Sequence, residues 1–228
     1  MPELDKHSIV ARIVTENPSA ARVFQKHGID YCCHGNVTLS RACEEARLDT
    51  QAVLRELEAA LAPGGAASEA RPSDLSTAAL VAHIVERHHG YLRRALPYVL
   101  PIMAKVAKVH GPRDVKLQEL EEVVRGLAED LLPHLDEEEE VLFPLLVART
   151  RSPEAVRGSI AQMLEEHLAV GALLARVRRL TDGFAIPEWA CNTYRVLMAE
   201  LEALEADIFR HVHLENHVLA PRFAALAA

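Results

Sequence analysis

The chain has 228 residues, enough for one large domain or two small ones, and half of it is apolar with only 4% aromatics. Ala, Leu, Val, Glu and Arg dominate, the profile of a helical globular protein. A net charge of −8 argues against nucleic acid as the main partner, since phosphate binding needs a basic surface. No apolar run reaches the length of a membrane span. The opening Met1-Pro2-Glu3-Leu4-Asp5-Lys6 does not read as a signal peptide, and four Cys, two of them adjacent, make no disulfide framework. The expected location is cytoplasmic. The unusual count is twelve His.

Residues 1–62 read as a small helical module. Ile9, Val10, Ile13 and Val14 form an amphipathic run that breaks at Asn17-Pro18. Pro18 suits the first turn of a second helix, and Gly28 stops that helix just past its cap. Tyr31-Cys32-Cys33-His34-Gly35-Asn36 reads as a tight turn, Thr38 as the cap of a third helix, and Asp49 or Thr50 as the cap of a fourth ending near Leu61. Residues 63–73 read as a linker on the composition Pro63-Gly64-Gly65-Ala66-Ala67-Ser68.

Residues 74–228 read as four long helices. The first spans about Ser76 to His110, with a bend expected at Pro97 or Pro101. The second spans about Asp114 to Arg149, with Pro133 expected to kink it just before His134. The third opens at Ser152-Pro153-Glu154 and ends at Gly183; the fourth opens near Pro187 and runs to about Ala225. Short connections between long amphipathic helices predict an all-α, up-down-up-down bundle.

Two of these helices carry the same pattern. Asp130, His134, Glu138, Val141, Leu142, Pro144 recurs with identical offsets as Asp207, His211, Glu215, Val218, Leu219, Pro221. Residues four apart share a helix face, so each copy presents an imidazole and a carboxylate side by side. The other two helices carry His88-His89 and His167. A lone His on an apolar helix face is more often a hydrogen-bonded boundary residue, and the run Asp136-Glu137-Glu138-Glu139-Glu140 alone would be a solvated face. Two copies of one pattern, with His on the intervening helices, point instead to metal held between helices. Four imidazoles and two carboxylates suit iron or manganese, which accept mixed nitrogen and oxygen donors.

Spacing leaves some choices open. Glu137 and Glu138 both fall within reach of His134, and the second copy, where Glu215 is the lone carboxylate at either spacing, selects Glu138. His88 and His89 each follow an apolar stripe. Asp130 and Asp207 are candidates to hold ring orientation, or else plain solvated residues. His213 and His217 lie off the His211–Glu215 face and are expected at the surface or a channel; His83 and His110 are expected to be structural. Cys43 and Cys191, each alone on a helix, are expected in the core.

The chain resembles the RIC family, the di-iron "repair of iron centres" proteins. The likeness rests on Tyr31-Cys32-Cys33-His34-Gly35 in a short helical module ahead of a hemerythrin-like bundle. Arg87-His88-His89 running on to Leu96-Pro97, Glu165-Glu166-His167 with Gly171, and His211-x3-Glu215-Asn216 with Val218-Leu219 and Pro221-Arg222 add to it. The resemblance implies two non-haem iron ions, bridged by carboxylates and held by His89, His134, Glu138, His167, His211 and Glu215. The register to Leu96-Pro97 is what selects His89. It also implies that Cys32 and Cys33 act as redox or iron-transfer thiols, and that the protein repairs iron-sulfur clusters damaged by nitric oxide or oxidants. Partners would be nitric oxide or dioxygen and damaged or apo iron-sulfur proteins; whether thiols and metals meet within one chain or across a homodimer stays open. Two other readings are a hemerythrin-like oxygen or nitric oxide carrier or sensor, and an oxidoreductase acting on nitric oxide or peroxide. Two departures from the family pattern are His34, where Gly is usual, and Ala220, where an aromatic is usual.

Overall fold

The computed structural model describes residues 4–61 and 71–226, and every element among them is helical apart from an isolated antiparallel bridge between Ile9 and Thr38. Of the linker expected at residues 63–73, residues 63–70 lie outside the described residues, and a short 3-10 turn, Pro72–Asp74, begins within the rest. In chain order the helices are α1 (Val10–Glu16), α2 (Ala21–Lys26), α3 (Leu39–Glu45), α4 (Thr50–Leu61), α5 (Thr77–Ile84), α6 (Gly90–His110), α7 (Lys116–Glu137), α8 (Phe143–Val147), α9 (Pro153–Leu180) and α10 (Asn192–Leu214). They form two compact units, one of Met1–Leu80 with Phe209–Leu226, the other of Val81–Ile208. No described helix is long and apolar enough to cross a membrane.

Unit one combines the N-terminal helices with the end of the chain. Val10, Phe24, Tyr31, Leu39, Cys43 and Leu57 are fully buried and make its core. Local chemistry sets the boundaries. The Thr38 hydroxyl accepts the Arg41 N–H at the start of α3, and Asp49 Oδ1 accepts the Gln51 N–H at the start of α4. Gly28 ends α2 at φ 65°, a conformation that Gly adopts without strain. Gly35 is fixed by close approach, because a Cβ there would meet the Tyr31 carbonyl oxygen at 2.4 Å.

Unit two is a four-helix packing. Val99, Met103 and Val106 of α6, Leu117, Leu120 and Val124 of α7, Val177 of α9, and Leu197, Met198 and Leu201 of α10 meet in one buried cluster. The Ser152 hydroxyl caps α9 by accepting the Ala155 N–H, with Pro153 at the first helical position. Pro97, Pro101 and Pro133 all lie inside continuous helix. The fourth helix begins at Asn192 rather than near Pro187. Pro187 heads a turn of its own, closed by the Ala190 N–H on the Pro187 carbonyl, and the first helical bond runs from Arg195 N–H to the Cys191 carbonyl. Cys191 is therefore an exposed residue at a helix start, not a core residue on a helix, whereas Cys43 is fully buried.

Three single π turns interrupt the helices at Val85–His89, Glu138–Leu142 and Glu215–Leu219. Each closes with a bond five residues back: Gly90 N–H to Val85, Phe143 N–H to Glu138, and Ala220 N–H to Glu215. Such turns concentrate at functional sites, and here they coincide with His89, Glu138 and Glu215. Pro144 and Pro221 stand just past the last two, where the hydrogen-bond ladder is already shifted and a missing N–H costs least.

Candidate metal centre

In unit two, α6 with its preceding π turn, α7 and α9 bring His89, His134, Glu138 and His167 into one buried pocket, each side chain at most 3% exposed. The two oxygens of Glu138 face different partners. Oε2 is 3.4 Å from His89 Nε2. Oε1 is 3.4 Å from His134 Nε2 and 3.9 Å from His167 Nε2. The His134 and His167 Nε2 atoms are 3.1 Å apart.

The outer nitrogens of two of these rings are tied to carboxylates. His89 Nδ1 is 2.9 Å from Glu139, which also accepts from Arg93, and His134 Nδ1 is 2.6 Å from Glu166, which also accepts from Gln162. A carboxylate only accepts, so Nδ1 is the donor to it in both rings, and Nε2 is the nitrogen that faces Glu138. Burial opposes ionisation of Glu139, but the His89 and Arg93 hydrogen bonds outweigh it and lower its pKa. Glu166 behaves alike: burial is outweighed by Gln162 and His134. His88 goes elsewhere, its Nδ1 3.0 Å from Asp207 and its ring edge-on to His83. Asp207 thus serves His88 rather than His211, and Asp130 is exposed.

In unit one, His211 Nε2 and Glu215 Oε1 lie 3.0 Å apart with both side chains fully buried. His213 is not a surface or channel residue, and His217 is half-buried. His213 is buried against Tyr31, with Nδ1 3.3 Å from the Tyr31 carbonyl and Nε2 3.1 Å from the Thr15 hydroxyl. Asn216 Nδ2 and His217 Nε2 both donate to the Cys32 carbonyl, at 3.0 and 2.8 Å. Residues flanking Glu215 therefore pin the backbone of the Cys-Cys turn. Burial, then the neighbouring His217, pushes the His213 pKa down to about 4.

The two thiols lie side by side with their sulfurs 3.6 Å apart and no disulfide between them. Asp30 organises their turn, its Oδ1 accepting the N–H of Cys32 and of Cys33. Burial raises the Cys32 pKa well above the usual thiol value, and contacts with Cys33 and Asp30 add to it.

Donors bound to one ion at about 2.0–2.2 Å stand about 2.8–3.6 Å from one another, between right-angle and tetrahedral geometry. The 3.4, 3.4 and 3.1 Å separations in unit two and the 3.0 Å pair in unit one fall in that range, and the 3.9 Å between His167 Nε2 and Glu138 Oε1 lies a few tenths of an ångström beyond it. Burying the Glu138 carboxylate among imidazoles costs several kcal/mol unless charge compensates it, which a bound cation supplies. The donor set fits a metal.

The comparisons agree with that chemistry. Residues 80–223 match the model for the hemerythrin HHE cation-binding domain, and residues 6–61 match ScdA_N, a domain of unknown function. An iron-sulfur cluster repair protein ScdA of Staphylococcus haemolyticus is 34% identical over 97% of this chain and 100% of its own length. The chain belongs to the ScdA/YtfE family. A Yersinia pseudotuberculosis member, named iron-sulfur cluster repair protein YtfE, is 34% identical over 90% of this chain and 91% of its own. A Staphylococcus epidermidis ScdA is 31% identical over 95% and 97%. The chain carries a hemerythrin HHE cation-binding domain behind an ScdA_N domain. Sequence reasoning missed Glu139, Glu166 and the His213-Asn216-His217 contacts. The available signal was adjacency alone, since each lies within two residues of a candidate ligand.

Proposed function

We propose that this chain repairs damaged iron-sulfur clusters, with a pair of iron ions held by His89, His134, Glu138, His167, His211 and Glu215. The observation that carries the reading is the split of Glu138, one oxygen toward His89 and the other toward His134 and His167. A carboxylate so placed would be shared by two ions, with His89 holding one and the His134–His167 pair the other. By the sequence repeat, Glu215 would be the second shared carboxylate and His211 the fourth imidazole. Bound there, a carboxylate-bridged iron pair supplies ferrous–ferric redox and open positions for a diatomic ligand such as nitric oxide.

The protein's own groups prepare that chemistry. Glu139 and Glu166 accept at Nδ1, which leaves Nε2 of His89 and His134 as the nitrogen turned toward Glu138 and available to an ion. Burial of all four unit-two donors excludes water and strengthens their electrostatic hold on a cation. Cys32 and Cys33 serve as redox or iron-transfer thiols, and the iron delivered to a damaged acceptor is cargo.

The test mixes reduced, iron-loaded chain anaerobically with an iron-sulfur protein whose cluster nitric oxide has destroyed. Return of cluster absorbance in step with iron loss from the chain supports repair. Stable, reversible nitric oxide binding without recovery would show a carrier, and catalytic nitrous oxide release without recovery would show an oxidoreductase.

A further inference from the structure

We infer that the turn Asp30-Tyr31-Cys32-Cys33-His34 is a metal site in its own right, binding one thiophilic divalent ion such as zinc or ferrous iron. Four side chains of the types such ions take fall within five consecutive residues. The ligating atoms of Asp30, Cys32 and Cys33 all lie within 4.8 Å of one another.

Two edges of the cluster are close to those of a coordination tetrahedron. Two thiolates at about 2.3 Å from one ion stand about 3.8 Å apart, and a thiolate and a carboxylate oxygen about 3.5 Å apart. The Cys32–Cys33 sulfur separation is 3.6 Å, and Cys32 Sγ to Asp30 Oδ1 is 3.3 Å. Both edges are within a few tenths of an ångström of the bound geometry. His34 completes the set: its Nδ1 is 2.7 Å from Asp30 Oδ2, and its side chain is 71% exposed, so it is able to turn from that hydrogen bond onto the ion. Exposed His34 and half-buried Cys33 mark the side from which an ion enters.

The turn is also held in place before any ion arrives. Asp30 Oδ1 fixes the Cys32 and Cys33 amides, Asn216 and His217 fix the Cys32 carbonyl, and His213 fixes the Tyr31 carbonyl. Gly35 closes against the Tyr31 carbonyl with no room for a side chain. Little backbone entropy is left to lose on binding, the condition for a tight small site. On binding, both thiols release their protons to solvent and the Cys32 S–H···Asp30 bond gives way to two metal bonds.

The test is a cobalt(II) titration of the anaerobic full-length chain, preloaded with iron and then treated with a chelator until about two irons per chain remain, so that the turn starts empty. Thiolate ligation gives a sulfur-to-cobalt charge-transfer band that His and Glu donors do not produce, so the readout is independent of whether the bundle site is as proposed. The expected result is one equivalent of cobalt giving the band while bundle iron is retained. Cys33→Ser should weaken binding by more than the roughly 10–100-fold that loss of an outer partner costs. His34→Ala and Asp30→Asn should weaken it by at least about tenfold, the Asn keeping the Oδ1 contacts that shape the turn. Displacement of cobalt by zinc alone would name zinc as the occupant; displacement by ferrous iron at similar concentration would name iron. Absence of the band, or a band unchanged in both Cys33→Ser and Cys32→Ser, would overturn the site; unchanged affinity in His34→Ala would overturn its four-donor form.

Discussion

Glu166→Ala isolates one ion of the proposed pair. The side chain touches no candidate donor atom that faces Glu138; it acts through His134, accepting the Nδ1 proton at 2.6 Å. Removing it frees the ring to rotate and to change tautomer, which turns a lone pair away from Glu138. Loss of such an outer partner typically costs 10–100-fold in metal affinity, about 1.4–2.7 kcal/mol. The carboxylate is 37% exposed, so water replaces part of the lost hydrogen bond and the lower end of that range is expected. Glu166→Gln, whose amide oxygen still accepts, should recover most of the loss. The assay is iron release to a colorimetric chelator from iron-loaded variants. About half of the iron should leave roughly tenfold faster in Glu166→Ala, with the remainder as in the parent. Glu139→Ala should speed the other half through His89. Release of all the iron in one unchanged phase would refute the assignment of His134 and His89 to different ions.

Other outcomes follow from burial and protonation. Burial and His217 depress the His213 pKa from 6.5 to about 4, so the unfolded chain takes up a proton below pH 6.5 that the folded chain refuses until about pH 4. Stability is full above pH 6.5 and falls between 6.5 and 4, by at most about 3 kcal/mol; urea melts against pH should show this slope, and His213→Gln should flatten it. Cys191 has its pKa lowered to about 7 by the Tyr194 amide and His110, whereas Cys32 is buried and raised, so peptide mapping after brief iodoacetamide at neutral pH should find Cys191 modified well before Cys32. Equal rates would contradict the burial of the turn. Leu120→Ala, in the core shared by all four bundle helices, should destabilise unit two by about 2–5 kcal/mol in urea unfolding; a change under about 0.5 kcal/mol would contradict that packing.

The helices were readable because their signals are local. Thr38, Asp49 and Ser152-Pro153 cap where their chemistry says they should, and Gly28 ends α2 through its left-handed φ. The π turns were not, since one extra residue within a turn leaves the apolar stripe on either side nearly intact. The start of α10 was misread because Pro187 is as good at heading a turn as at heading a helix, and Trp189 packs that turn against His110 and Tyr194. The same misreading put Cys191 in the core. His213 looked like a surface residue because what covers it, Tyr31, lies 182 positions away along the chain, a distance no local pattern spans. The choice between His88 and His89 came from family resemblance; in the structure His88 turns to Asp207 and His89 to Glu138.

The central claim is a carboxylate-bridged iron pair, and Mössbauer spectroscopy of the ⁵⁷Fe-loaded full chain, alongside iron analysis, tests it most directly. A bridged pair gives about two irons per chain, magnetically coupled when both are ferric, with the coupled signal lost in Glu138→Leu. One iron per chain, or two uncoupled ferric ions indifferent to Glu138→Leu, would contradict it.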